Sequence, residues 1–156
     1  MPVITFSLSQ ASIEAAIDQL KAYRDKVQGL DAKLVKRLAE EGAEIAQSYV
    51  PVYTGELMNS IRGEASGREG RVIAYSDYGG YVEFGTGIVG AGEPHPAPWP
   101  GWTYDYNNHG EEGWWWPDDS GYYHWTQGQP AKPFMYNTAQ ELKNKYAEIA
   151  AEELRT

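Results

Sequence analysis

Three histidines, His95, His109 and His124, fall in one stretch of the chain together with Glu93, Glu111 and Glu112. Imidazole and carboxylate are ligand types that zinc takes. The histidines are 14 and 15 residues apart, however, a spacing that matches no helical ligand pair. Two carboxylate pairs, Glu111-Glu112 and Asp118-Asp119, flank Trp114-Trp115-Trp116. A glycosidase needs an acid and a second carboxylate about 5–10 Å apart, and tryptophans stack on sugar rings, so glycan hydrolysis or simple glycan binding is the second chemistry to weigh. Adjacent carboxylates in a polar loop are ordinarily solvated, and nothing in the sequence marks one of these as buried. HExxH, a glycine-rich phosphate loop and a G-x-S-x-G elbow are all absent. With no cysteine there are no disulfides and no thiolate metal sites. The residues predict no enzyme: no catalytic residue, no metal and no cofactor.

These residues share an unusual segment. Residues 88–128 number 41, contain no lysine or arginine, and hold all six tryptophans and five of the nine prolines. Their six acids supply −6 of the net charge of −9, leaving −3 for the other 115 residues. A structureless loop this long is uncommon in a compact domain, so the segment is a functional excursion or has order of its own. Trp99, Trp102, Trp114, Trp115, Trp116 and Trp125 are the candidate interface, because tryptophan and tyrosine bury large areas with little side-chain entropy lost. A monomer exposing this many rings is aggregation-prone, whereas neighbouring subunits would cover them. The competing reading folds the segment back as a local core. The overall acidity argues against a phosphate-neutralising nucleic-acid binder.

The elements that must carry this segment follow from periodicity. Ile13, Ala16, Ile17, Leu20, Tyr23 and Val27 recur at helical spacing and predict a helix from Ser9, its cap, to Gln28, with Gly29 as a stop. Leu34, Leu38, Ile45 and Tyr49 predict a second helix from Asp31 to Tyr49, antiparallel to the first and ended by Pro51. Gly42 lies on that stripe and suggests close approach of another backbone. Thr54 suits the cap of a short helical turn whose Leu57 and Ile61 point inward. Arg62–Ala65 and Arg71–Tyr75 read as a hairpin turned by Ser66, Gly67 and Gly70. Tyr122–Thr126 suits a strand returning beside Thr86–Val89. Pro133 opens a last helix with Met135, Ala139, Leu142, Tyr146 and Ile149 as its stripe. No apolar run approaches the ~20 residues of a membrane span. Met1–Phe6 lacks the features of a secretion signal, so a soluble protein is expected.

Three pieces in this order resemble the tailed-phage head–tail joining proteins of the lambdoid gene-ten type, described as neck or minor tail components. Tyr53-Thr54-Gly55-Glu56-Leu57 through Ser60-Ile61 is similar to the family's TG-x-L…SI segment. Tyr81-Val82-Glu83-Phe84-Gly85-Thr86-Gly87 is similar to its YVEFGT signature, and Pro130–Met135 to its P-x-x-PFM before the C-terminal helix. The 88–128 segment is longer than the connection many relatives have there.

The resemblance implies a single α+β domain over residues 1–156: two N-terminal helices and a long C-terminal helix on a small antiparallel sheet, with 88–128 as a long aromatic-rich loop insertion. It implies a virion protein of the neck, assembled in the host bacterial cytoplasm into a ring of six or twelve copies. Its neighbours would be connector or stopper proteins and tail-terminator or tail-tube proteins, with DNA only passing through the lumen and no membrane partner. The motif residues Thr54, Gly55, Leu57, Tyr81, Glu83, Phe84, Gly85, Thr86, Pro133, Phe134 and Met135 carry over as fold and assembly positions. For Tyr81–Gly87 two readings stay open. Glu83 pairs with a neighbouring subunit, or the segment is a tight turn in which Gly85 and Gly87 take positive φ and Phe84 sits in its own core. Phe134 and Met135 are likewise core anchors or ring contacts. A Trp-rich module binding cell-wall glycan is the alternative function.

Overall fold

The computed structural model describes residues 9–51, 55–104 and 112–155. Its first helix, α1, runs unbroken from Gln10 to Tyr49. Ser9 caps it as expected, the hydroxyl accepting from the Ser12 amide at 3.4 Å. The helix pair expected over Ser9–Gln28 and Asp31–Tyr49 is therefore one helix, and Gly29 does not stop it. A lone glycine costs a helix only about 1 kcal/mol, whereas a glycine stop needs a left-handed residue to turn the chain away. Gly29 has no positive φ. The apolar stripe also passes through it in phase, as Leu20, Tyr23, Val27, Leu30 and Leu34. Asp31, expected at the start of a second helix, instead takes the Arg68 guanidinium at 2.6 Å.

Arg68 belongs to the turn of the expected hairpin, formed by β1 (Ile61–Ser66) and β2 (Glu69–Ala74), with Gly67 at φ 60°. Arg62 pairs with Ile73 and Ala65 with Gly70. The hairpin lies directly on the second half of α1. A Cβ on Gly63 would stand 2.1 Å from the Ala39 carbonyl oxygen, so only glycine lets strand and helix backbones meet there. Gly42 had suggested such a backbone contact; it meets side chains instead, Val72 Cγ2 at 2.7 Å and Leu142 Cδ1 at 2.8 Å from a Cβ position.

Leu142 belongs to the C-terminal helix, α5 (Phe134–Arg155), which runs antiparallel to α1. Arg37 pairs with Glu152 and Glu153, Lys145 with Glu41 at 3.4 Å, and the Tyr49 hydroxyl donates to Glu141 at 2.8 Å. These surface pairs set the register and add little stability each. The shared core is Ala43, Ala46, Val50, Leu57, Ile61, Val82 and Phe134. Small residues of α1 face it because helix and hairpin crowd that half from two sides.

The short helix α2 (Glu56–Ser60) buries Leu57 and leads into buried Ile61, as expected. Its cap position is Gly55, at φ 78°; Thr54, expected as the cap, lies outside the described residues. The Tyr78 hydroxyl accepts from the Leu57 amide at 3.0 Å, a capping partner the sequence did not reveal.

Two further short helices, α3 (Gly79–Phe84) and α4 (Gly87–Gly92), precede β3 (Trp114–Pro117), β4 (Tyr123–Thr126) and β5 (Gly128–Gln129). The strand expected over Tyr122–Thr126 exists, but its partner is β3, not Thr86–Val89. Closing a tight turn between Pro117 and Tyr123 loses far less chain entropy than reaching back across the whole excursion. Thr86 and Gly87 are met instead by Gln129 and Gly128, through two isolated bridges. The architecture is α+β. No helix among the described residues is long and apolar enough to cross a membrane.

Candidate assembly surfaces

Helix α5 begins just after Pro133, which offers no side-chain acceptor at the position where one would cap the helix. Helix first-turn amides need partners from elsewhere. Glu83, from α3, supplies both: Oε2 accepts from the Met135 amide at 2.8 Å and Oε1 from the Tyr136 amide at 2.9 Å. A carboxylate there is also favoured by the helix dipole. His95 Nε2 lies 2.9 Å from Oε1 and donates a third bond. Its other ring nitrogen, Nδ1, lies 2.9 Å from the Ala97 amide nitrogen and 2.7 Å from the Ala97 carbonyl oxygen, so the ring is held at both ends. Glu83 and His95 are only 7% and 5% exposed.

The two motifs thus meet inside the chain. The Lys132 amide donates to the Val82 carbonyl at 2.8 Å, and Gln129 Nε2 to the Tyr81 carbonyl at 3.2 Å. Phe134 is fully buried and Met135 packs against the core. Thr86 is buried, and Gly85 and Gly87 hold φ of 80° and 64°. Glu83 meets these three partners within its own chain. His95, weighed as a zinc ligand, is one of them.

The six tryptophans divide. Trp102 folds back over the motif, its indole donating to the Gly85 carbonyl at 3.1 Å and its ring 5.1 Å from Phe84 and 5.6 Å from Tyr81. Phe84 also meets His95 at 4.7 Å and the exposed Trp99 at 5.9 Å. This half of the excursion is a local core. The β3–β4 hairpin is different. Directly paired residues share a face, so Trp115, Trp125, Pro117 and Tyr123 line one side, and Trp114, Trp116, His124 and Thr126 the other. Trp115 and Trp125 meet edge to face at 5.5 Å yet stay 60% and 48% exposed.

The hairpin tip is held by Asp118. Its Oδ1 accepts from the Ser120 and Tyr122 amides at 2.9 Å each, and Oδ2 takes His124 Nε2 at 2.8 Å. The His124 bond first, then the Tyr122 amide, hold the Asp118 carboxyl below its ordinary 3.8. A lowered folded-state pKa gives stability that is complete above the ordinary value and is lost as pH falls through the folded one. The circular-dichroism signal of the Trp115–Trp125 pair should therefore hold to about pH 4 and fade below it. Asp118→Asn should remove that acid transition; an identical transition in the variant would refute the assignment.

A second apolar surface lies on the first half of α1. Ile13, Ile17, Leu20, Tyr23 and Val27 are 43–53% exposed, although their spacing is that of a buried stripe. No three His, Asp or Glu residues among those described form a group able to hold a metal. His109 and Glu111 lie outside the described residues.

Residues 14–85 match the family described as "Bacteriophage HK97-gp10, putative tail-component". The match covers most of α1, then α2, the β1–β2 hairpin and α3, and ends at Gly85 inside the Tyr81–Gly87 motif. Pro130–Met135 lies beyond it and is joined to it by Glu83. No curated protein and no solved structure matched the chain. The sequence motifs, the α+β fold and this match agree: over residues 14–85, just under half of its length, the chain is similar to the HK97-gp10-like family of bacteriophage tail components.

Proposed function

We propose that the chain is a structural subunit of the head–tail neck, forming a ring that links the portal or connector to the tail and keeps the DNA channel continuous. It performs no chemistry in this reading. The observation that carries it is the family match over residues 14–85. Two exposed apolar surfaces in one chain support it, because a subunit with two different contact faces can close a ring head to tail. The acids of residues 88–128, if turned toward the lumen, would repel passing DNA. The neighbours above and below the ring would be connector or stopper and tail-terminator or tail-tube proteins.

One observation favours a second reading. Trp115, Trp116 and Trp125 expose ring faces that suit stacking on the sugars of a cell-wall glycan. Native mass of the purified protein, alone and mixed with tails or DNA-filled heads, separates the two. A six- or twelve-fold ring, or assembly on either particle, is the expected result. A monomer that ignores both particles and is pulled down by cell-wall polysaccharide would establish the second reading instead.

A further inference from the structure

The C-terminal part of the exposed α1 surface and the Trp-rich excursion have complementary charge. Between Leu20 and Lys33, α1 carries four bases and two acids, in a chain whose net charge is −9. Both acids are engaged, Asp25 by Arg24 and Asp31 by Arg68. Lys26 and Lys33, flanking the stripe, have no carboxylate partner among the described residues. The Trp-rich excursion has the opposite character: no lysine or arginine, with Glu112 and Asp119 exposed at the two ends of the β3–β4 hairpin and no cation paired to either among the described residues.

Each surface also needs a partner physically. A two-stranded hairpin is marginal by itself in water, and here Trp115, Trp125 and Tyr123 of one face are left in solvent. The free half of α1 spans 20 residues from Gln10 to Gly29, about 30 Å of helix at 1.5 Å per residue, with its stripe uncovered. Laying that stripe on a second copy of itself would bring basic flanks together. Laying it on the hairpin of a second copy brings Lys26 and Lys33 toward Glu112 and Asp119 while covering both sets of rings and aliphatics.

We propose that the Trp115–Trp125 face of one subunit docks on the Leu20–Val27 stripe of the next, a helix–hairpin contact between two copies of this chain. The proposal rests on the ring reading above and names the contact that closes it. The faces differ, so each subunit uses one to hold the copy before it and the other to hold the copy after it, as a closed ring requires.

The absence of cysteine permits a direct test. Both Tyr23 and Trp115 are exposed, so Tyr23→Cys and Trp115→Cys leave the core intact. The doubly substituted chain, oxidised after assembly, should give a ladder of disulfide-linked chains ending at the copy number of the ring. Each single variant should give none. In parallel, Lys26→Glu with Lys33→Glu should lower the assembled fraction at least tenfold. Adding Glu112→Lys and Asp119→Lys to the same chain should restore it. Covalent dimers from either single variant would mean self-pairing and overturn the proposal, as would a ring of unchanged mass that the double variant does not link. A wild-type chain that stays monomeric alone and on both particles would instead bring down the ring reading, and this contact with it.

Discussion

Glu83→Ala should lower stability by about 3–5 kcal/mol, the largest loss expected from any carboxylate among the described residues. The substitution strips the partner from two helix amides, Met135 and Tyr136, and from His95 Nε2, all at a site only 7% exposed. A buried donor left without an acceptor costs about 1–3 kcal/mol, and three are orphaned together. For a chain of 156 residues this corresponds to a drop in Tm of about 10 °C or more. Glu83→Gln should fall between alanine and wild type. Its one carbonyl oxygen can still accept from a helix amide, but its NH2 group then faces the other donor. Thermal unfolding with amide exchange at Met135 and Tyr136 reads both effects. If both variants unfold within a degree or two of wild type, the buried carboxylate is not what anchors α5.

Gly128→Ala should be comparably damaging, at about 3 kcal/mol or more, for a reason of backbone geometry. Gly128 has φ 98°, where a side chain is strained, and an added Cβ would stand 1.9 Å from the Thr86 carbonyl oxygen and 2.8 Å from Gly87 Cα. Relief requires the chain near Thr86 to move away, which breaks both the Thr86–Gln129 and Gly87–Gly128 bridges. Gly121→Ala separates strain from contact. Its φ is 82°, but nothing lies within 4 Å of its Cβ position, so it should cost only about 1 kcal/mol. Denaturant midpoints for the two variants test the comparison. Equal losses would mean that strain alone, and not the packing of β5 on the Thr86–Gly87 segment, sets the cost.

Both predictions concern the same junction, and it links fold to proposed function. Glu83 anchors the start of α5, Gly128 anchors the return of the excursion, and between them the β3–β4 hairpin is carried out from the body. A ring contact made by that hairpin is only as well placed as this junction is rigid.

Local order was legible in the residues themselves. The stripes of α1 and α5, the Ser9 cap, the Gly67 turn, buried Leu57 and Ile61, and positive φ at Gly85 and Gly87 all rest on interactions within a few positions, where spacing carries the information. The motif order was enough to point to the phage tail-component family. What the tertiary structure decided spans longer distances. Helix continuity through Gly29 depends on a balance of about 1 kcal/mol that a lone glycine does not tip. Which strand the Tyr123–Thr126 segment pairs with depends on competing loop closures. That Glu83 caps a helix 52 residues away, and also holds a histidine that resembled a metal ligand, is a property of packing, since a carboxylate's partner is set by what folding brings beside it. The exposure of the Ile13–Val27 stripe belongs to the same class. Periodicity makes a face apolar, but only the arrangement of the other elements determines whether anything in the same chain covers it.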